Sequence, residues 1–191
     1  AWLSIGSTYS YLTAMRIKEV VKKEDINLSI IPISIRQIMK SMDNIPFPPS
    51  KQTKVNYMWR DIERRAALYK IPVPKVPAPY PLKEFDRANL VGIVMNDKGL
   101  YLDYFKFTYE EWFLNGNEAG SKQNLEVTLK KLGLDLQETI ALADTMEERY
   151  IENTKQALDF GIFGVPSFSF SNEIFWGDDR LEDAIRLAPQ K

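Results

Sequence analysis

The apolar positions of this chain change rhythm along its length. Residues 1–5 are almost continuously apolar and read as a short buried strand. Ser7 or Thr8 stands where a helix cap is expected, and the helix that follows runs to about residue 23. It is apolar over much of its surface, at Tyr11, Leu12, Ala14, Met15, Ile17, Val20 and Val21. Residues 28–33, rich in β-branched side chains, predict a second strand, and residues 35–42 a short helix. Strand, helix, strand is the opening of a parallel-sheet unit.

A helical rhythm then takes over. After a Pro-rich loop at 43–50, apolar residues recur at Val55, Met58, Trp59, Ile62, Ala66 and Tyr69, which predicts a helix over 51–69. Residues 71–81 hold Pro72, Pro74, Pro77, Pro79 and Pro81 and must be extended, a connection draped over the surface. Further helices are predicted over about 82–97, 101–114, 123–132 and 135–143, punctuated by Gly99, Gly116, Gly120 and Gly133. No strand signal interrupts this block. A helix over 145–160 then leads into Gly161, two short strands flank Ser171-Asn172, and a closing helix over 179–187 carries Leu181, Ala184, Ile185 and Ala188 on one face. The order is βαβ, then helices, then αββα. It divides the chain into an α/β part, residues 1–42 and 144–191, and an inserted all-helical part, residues 43–143.

Composition narrows the chemistry. The 191 residues carry a net charge of −1, so bulk charge favours neither nucleic acid nor an anionic membrane as partner. No apolar run reaches the roughly 18 residues that span a bilayer, and no secretory leader is visible. The expected location is the cytoplasm, with a few residues expected ahead of Ala1. There is no Cys and no His. Disulfide exchange, thiolate nucleophiles, sulfur-ligated metals and Ser-His-Asp hydrolysis are therefore excluded. A transition-metal site is not expected.

Several groups stand out. Val165-Pro166, after Gly161 and Gly164 and before a hairpin, has the setting of a cis X-Pro bond opening a strand. Ser7 sits at a strand-to-helix junction, where it either caps the helix or lends its hydroxyl to a ligand. Asp178-Asp179-Arg180 opens the last helix, and Asp179 with Glu182 fits a capping box. Asn44 lies in the Pro-rich loop. Lys54 and Asp61 lie seven apart, on one helix face, with Arg64 nearby. Tyr101, Tyr104, Phe105, Phe107, Tyr109, Trp112 and Phe113 are expected mainly in the core, with some available to line a pocket for an aromatic substrate.

These segments resemble the 2-hydroxychromene-2-carboxylate isomerase family, kin of the kappa-class glutathione transferases, with a DsbA-like thioredoxin fold. Ser7-Thr8-Tyr9-Ser10-Tyr11-Leu12 is similar to the family's Ser-Pro-Tyr-Ser-Tyr/Trp-Leu. Lys54, Tyr57 and Asp61 match its Lys-x-x-Tyr-x-x-x-Asp pattern. Residues 164–168 match Gly-Val-Pro-x-Phe, residues 176–181 match Trp-Gly-x-Asp-Arg-Leu, and Asn44 and Pro46 match an Asn-x-Pro loop. The resemblance implies a thioredoxin-like α/β fold with an inserted helical block, and glutathione as cofactor. It implies that Ser7 contacts the glutathione sulfur and that Val165, beside Pro166, pairs with its backbone. Asp178 and Asp179 would hold its γ-glutamyl end, with Lys54 and Asn44 assisting. Two positions depart from the pattern. Thr8 replaces a proline, and Asp178 stands where relatives often carry Ser or Gln, adding a negative charge beside an anionic ligand.

The implied reaction is an isomerisation of a small aromatic catabolite by thiolate addition, ring opening, bond rotation and elimination, which regenerates glutathione. Two other readings remain. A kappa-like transferase or peroxidase would consume glutathione with an electrophilic substrate, and a binding protein would keep the fold without turnover. A homodimer is an open expectation on which the sequence does not decide.

Overall fold

In the computed structural model, which describes residues 1–44 and 47–188, the sheet has the order β2-β1-β3-β4. β1 (Trp2–Leu3) and β2 (Ile31–Pro32) run parallel, with Trp2 opposite Ile31 and Leu3 opposite Pro32. β3 (Ser167–Phe170) is antiparallel to β1 at Trp2 and forms a hairpin with β4 (Glu173–Trp176). The hairpin matches the predicted strands, because the turn at Ser171-Asn172 places Ser171 at a φ of 53°.

β1 is shorter than the apolar run that predicts it. Beyond Leu3 the backbone leaves the sheet and pairs with a side chain. Asn89 Oδ1 accepts from Ile5 N at 2.8 Å and Ser4 Oγ at 3.3 Å, while its Nδ2 donates to Ile5 O at 2.8 Å. One buried amide thus stands in for a strand partner.

The predicted first helix is two: α1 (Ser10–Ala14) and α2 (Ile17–Lys23). At the break Arg16 turns inward and donates to the carbonyl of Asp178 at 3.1 Å. Neither Ser7 nor Thr8 caps α1, whose first flanking residue is Tyr9. Both hydroxyls are engaged elsewhere, Ser7 Oγ on Val165 O at 3.1 Å and Thr8 Oγ1 on Met58 Sδ at 2.9 Å. The capping box at Asp179 and Glu182 does not form either. Asp178–Arg180 is a 3₁₀ turn, and α10 (Leu181–Leu187) follows it without a side-chain cap. Asp179 pairs with Arg180 and Glu182 with Arg16.

The remaining helices follow the predicted rhythm: α3 (Ile35–Ser41), α4 (Gln52–Leu68), α5 (Phe85–Asp97), α6 (Tyr101–Phe113), α7 (Lys122–Lys131), α8 (Leu136–Ala143) and α9 (Glu147–Phe160). Among the described residues no helix is long and apolar enough to cross a membrane. The Pro-rich connection is fastened rather than draped. Tyr11 Oη donates to Pro72 O at 2.5 Å, Lys75 N to Phe113 O at 3.0 Å, and Trp112 Nε1 to Pro79 O at 2.7 Å.

The main core runs through both sequence segments. Leu3, Ile5, Tyr11, Leu12 and Ile33 share it with Met58, Ile62, Phe105, Tyr109, Trp112 and Phe113. Tyr11 of α1 stacks on Phe113 of α6, with ring centroids 4.6 Å apart and planes 2° apart. Each such ring is worth about 1.5–3 kcal/mol of buried apolar surface. A smaller core of Ile17, Phe168, Leu181 and Ala184 lies where α2 and α10 cover the sheet.

Candidate active site

The loop after β1 is shaped by its neighbours before Ser7 is reached. Gly6 has a φ of 131°, and a Cβ there would stand 2.2 Å from Phe85 Cε2, so the position has room only for glycine. The next peptide is gripped by Tyr109 of α6. Its hydroxyl accepts from Gly6 N at 3.4 Å and donates to Ser7 O at 2.7 Å. Burial pushes the Tyr109 phenol well above the usual tyrosine range, so it keeps its proton and remains a donor.

Thus held, the half-buried Ser7 side chain reaches across 158 positions of sequence to Val165 O at 3.1 Å. The Val165-Pro166 bond is cis, as the sequence predicts. Pro166 O accepts from Gly177 N at 2.9 Å, which ties this loop directly to Asp178 and Asp179. Three segments distant in sequence, at 7, 165–166 and 177–179, therefore form one continuous lining.

Helix α4 supplies the opposite wall. Lys54, Met58, Asp61 and Arg65 are spaced by four, three and four residues and so share one stripe. Met58 meets Thr8, and Asp61 accepts from Tyr9 Oη at 3.1 Å. Arg65 donates from Nη2 to Asp178 Oδ2 at 2.9 Å. Burial lifts the Tyr9 phenol above its usual range, and the Asp61 carboxylate lifts it further. Burial also raises the Asp178 carboxyl, with the Arg65 guanidinium beside it holding the rise back.

The structure thus brings together Ser7, Val165, Pro166, Asp178 and Asp179. Lys54 is exposed, with Nζ 5.1 Å from the centre of the Phe47 ring, and Asn44 is exposed at the end of α3. Pro46 lies outside the described residues. Arg180, two residues on, pairs with Asp179 and Asp183 rather than with Asp178. Asp178 is buried and paired with Arg65, while Asp179 is 40% exposed. The neighbouring Arg64 turns back onto Asp61 at 3.1 Å. Of the aromatic cluster, all but Phe107 are buried in the core, and Tyr109 enters the site only through its hydroxyl. Two surface grooves lie away from Ser7. One of about 380 Å³ runs between α4 and the Pro-rich connection, and one of about 510 Å³ between Phe175 and α10. Among the described residues no group of three or more acidic side chains could hold a metal.

Sequence reasoning missed Arg65 and Arg16, and it placed Tyr109 among the aromatic cluster without a role of its own. For Arg65 the signal was present, because continuing the Lys54 and Asp61 stripe by one more turn arrives at it. Nothing in the sequence separates Tyr109 from the other rings of α6.

A cis-proline loop facing a strand-to-helix junction, with an inserted helical wall, defines the class. The chain belongs to the DSBA-like thioredoxin domain family, whose model matches residues 1–186. Within that class it is similar to the 2-hydroxychromene-2-carboxylate isomerase of Pseudomonas sp. (strain C18), at 26% identity over 96% of this chain and 87% of the relative. It is also similar to the enzymes of that name from Pseudomonas putida, at 25% identity over 92% and 86%, and Sphingobium xenophagum, at 24% over 92% and 90%. A solved structure of 2-hydroxychromene-2-carboxylate isomerase superposes with a TM-score of 0.83, at 23% identity, covering 95% of this chain and 89% of that one. The fold inferred from the sequence motifs is the fold observed.

Proposed function

We propose that this chain is a glutathione-dependent isomerase that acts on an aromatic catabolite of the 2-hydroxychromene-2-carboxylate type. The observation that carries the reading is the Ser7 hydroxyl lying 3.1 Å from the Val165 carbonyl in a chain with no Cys and no His. The site has a hydroxyl for a sulfur and backbone for a peptide, but no thiol or imidazole of its own.

The residues fit a tripeptide that carries a thiol, an ammonium and two carboxylates. Ser7 is the hydroxyl donor. Val165, beside Pro166, is the backbone partner. Asp179, held only in an exposed ion pair with Arg180, is the acid for the ammonium, and Lys54 and Asn44 are the exposed cation and amide for a carboxylate. The names of the relatives support the isomerase reading.

Bound glutathione supplies the nucleophilic thiol that the protein lacks. The chain's own task is to hold that sulfur ionised and in place. A free thiol has a pKa of about 8.5, and each unit of depression corresponds to about 1.4 kcal/mol. One hydroxyl donor to a charged acceptor is worth about that much. Tyr109 fixes the Ser7 peptide, so the hydroxyl, once released from Val165 O, turns to the sulfur from a backbone that stays in place. Thr8 and Tyr9 fasten the loop to Met58 and Asp61 on the α4 side.

The test is a calorimetric titration with reduced glutathione and with S-methyl glutathione, followed by turnover of the chromene acid. Binding that weakens on methylation, with glutathione fully recovered after turnover, is the expected result. Net consumption of glutathione would point instead to a transferase. No binding would remove glutathione from the account.

A further inference from the structure

Two adjacent acids end the site wall, and the structure treats them differently. The side chain of Asp178 is 5% exposed and that of Asp179 is 40% exposed. Asp178 is gripped by two arginines, and the Tyr69 hydroxyl also bonds its carboxylate. Arg65 of α4 takes its carboxylate at 2.9 Å, and Arg16, at the junction of α1 and α2, takes its carbonyl at 3.1 Å. Both guanidinium groups also contact the Tyr69 ring. Arg16 Cζ lies 3.8 Å and Arg65 Cζ 5.4 Å from its centre, and Arg65 also donates to its hydroxyl at 2.5 Å.

An unpaired buried carboxylate is costly. Here it would also repel an anionic ligand from the turn it occupies. A guanidinium at 2.9 Å cancels that charge locally and fixes the turn against α4. The same helix carries Lys54, which lies eleven residues, or roughly 16 Å, before Arg65 at 1.5 Å per residue. An extended tripeptide spans about 10 Å. The reach of the Lys54 side chain makes up the difference.

We infer that Arg65 is a positioning residue: it neutralises Asp178 and pins the Asp178–Arg180 turn to α4, so that Asp179 alone serves as the ligand-facing acid. The inference rests on the glutathione reading and gives the two acids separate roles. Asp178 belongs to the protein's internal ion pair. It also explains how an acid is tolerated at a position whose charge would otherwise work against an anionic ligand.

The experiment is a double-mutant cycle in the full chain with two readouts, glutathione titration and thermal unfolding without ligand. Arg65→Gln is expected to weaken glutathione at least tenfold and to lower the melting temperature. Arg65→Gln with Asp178→Asn, whose two amides can still hydrogen-bond between α4 and the turn, is expected to recover affinity to within about threefold of the unmodified chain, although the charge pair is missing. Asp178→Asn alone is expected to stay within that range, whereas Asp179→Asn loses binding. If Arg65→Gln does not fold, Arg65→Lys, which keeps the charge without the fork, replaces it in the cycle and should show a smaller loss in the same direction. The inference is overturned if Asp178→Asn weakens binding as much as Asp179→Asn, or if the double variant stays as weak as Arg65→Gln. A wild-type chain that binds no glutathione refutes the cofactor reading separately. The unfolding cycle then decides the pin alone: non-additive melting temperatures uphold it, and additive ones overturn it.

Discussion

Replacing Tyr109 by Phe removes one oxygen and leaves the ring. The ring contacts with Phe105, Trp112 and Phe113, at centroid distances of 5.0, 5.3 and 5.6 Å, are kept. What is lost is the acceptor for Gly6 N and the donor to Ser7 O. Ser7 O retains a second donor, Ser10 N at 3.2 Å, so the carbonyl is not orphaned. Gly6 N loses a long bond of 3.4 Å. The cost therefore falls at the lower end for a buried polar deletion, about 1–2 kcal/mol. For a chain of this length that is a fall of roughly 2–8 °C in melting temperature. The same variant should raise the pKa of bound glutathione thiol, because the peptide that aims the Ser7 hydroxyl is no longer held. Tyr104→Phe is the control. Its hydroxyl donates to Ala88 O at 2.8 Å, equally buried but away from Ser7, so it should cost similar stability and leave the thiol unchanged. Calorimetric melting and the ultraviolet titration of the bound thiol read the two effects separately. If both variants shift the thiol alike, or if Tyr109→Phe shifts neither quantity, the reasoning that Tyr109 aims Ser7 is wrong.

Ser7→Ala should still bind glutathione but raise the pKa of its thiol by about one unit, or about 1.4 kcal/mol; an unchanged pKa would remove Ser7 from the chemistry. Stability should hold to about pH 9 and then fall. Tyr9, Tyr11, Tyr104, Tyr109 and Tyr150 have folded-state pKa values raised by burial, whereas the unfolded phenols ionise near pH 10. The unfolded chain alone then releases their protons, and each withdraws up to about 1.4 kcal/mol per pH unit; urea midpoints unchanged to about pH 11 would contradict this. Gly6→Ala should be far more damaging than Gly164→Ala. The first drives a Cβ into the buried Phe85 at a positive φ, while the second meets Trp176 Nε1 at 2.3 Å on a ring that is 53% exposed and can swing aside. Comparable melting temperatures for the two would defeat that ranking.

Much of the fold was legible because local signals and tertiary packing agree. The β3–β4 hairpin has two short strands on either side of a turn that names itself, and α9 ends on Gly161 in the left-handed region. The misreadings occur where a long-range partner outbids a local one. Ser7, Thr8 and Asp179 have the right chemistry for helix caps, but Val165, Met58 and Arg180 claim their oxygens instead. No glycine or proline marks the break between α1 and α2, because it coincides with Arg16 turning toward Asp178, 162 residues away. In the site, motif residues could be listed but not sorted. Only packing shows that one of two neighbouring aspartates is already spent on Arg65.

Asn89 gives the inserted helices an unexpected standing. By sequence order residues 43–143 look like a cassette that could be cut out to leave a minimal thioredoxin. Yet α5 within that cassette supplies the amide that completes the first strand, and α6 supplies the hydroxyl that sets the Ser7 peptide. Excision would leave the hydrogen bonding of Ile5 open in the centre of what remains. A transplant of this site to another scaffold should therefore carry α5 and α6 with it, because Asn89 and Tyr109 hold the backbone on either side of Gly6.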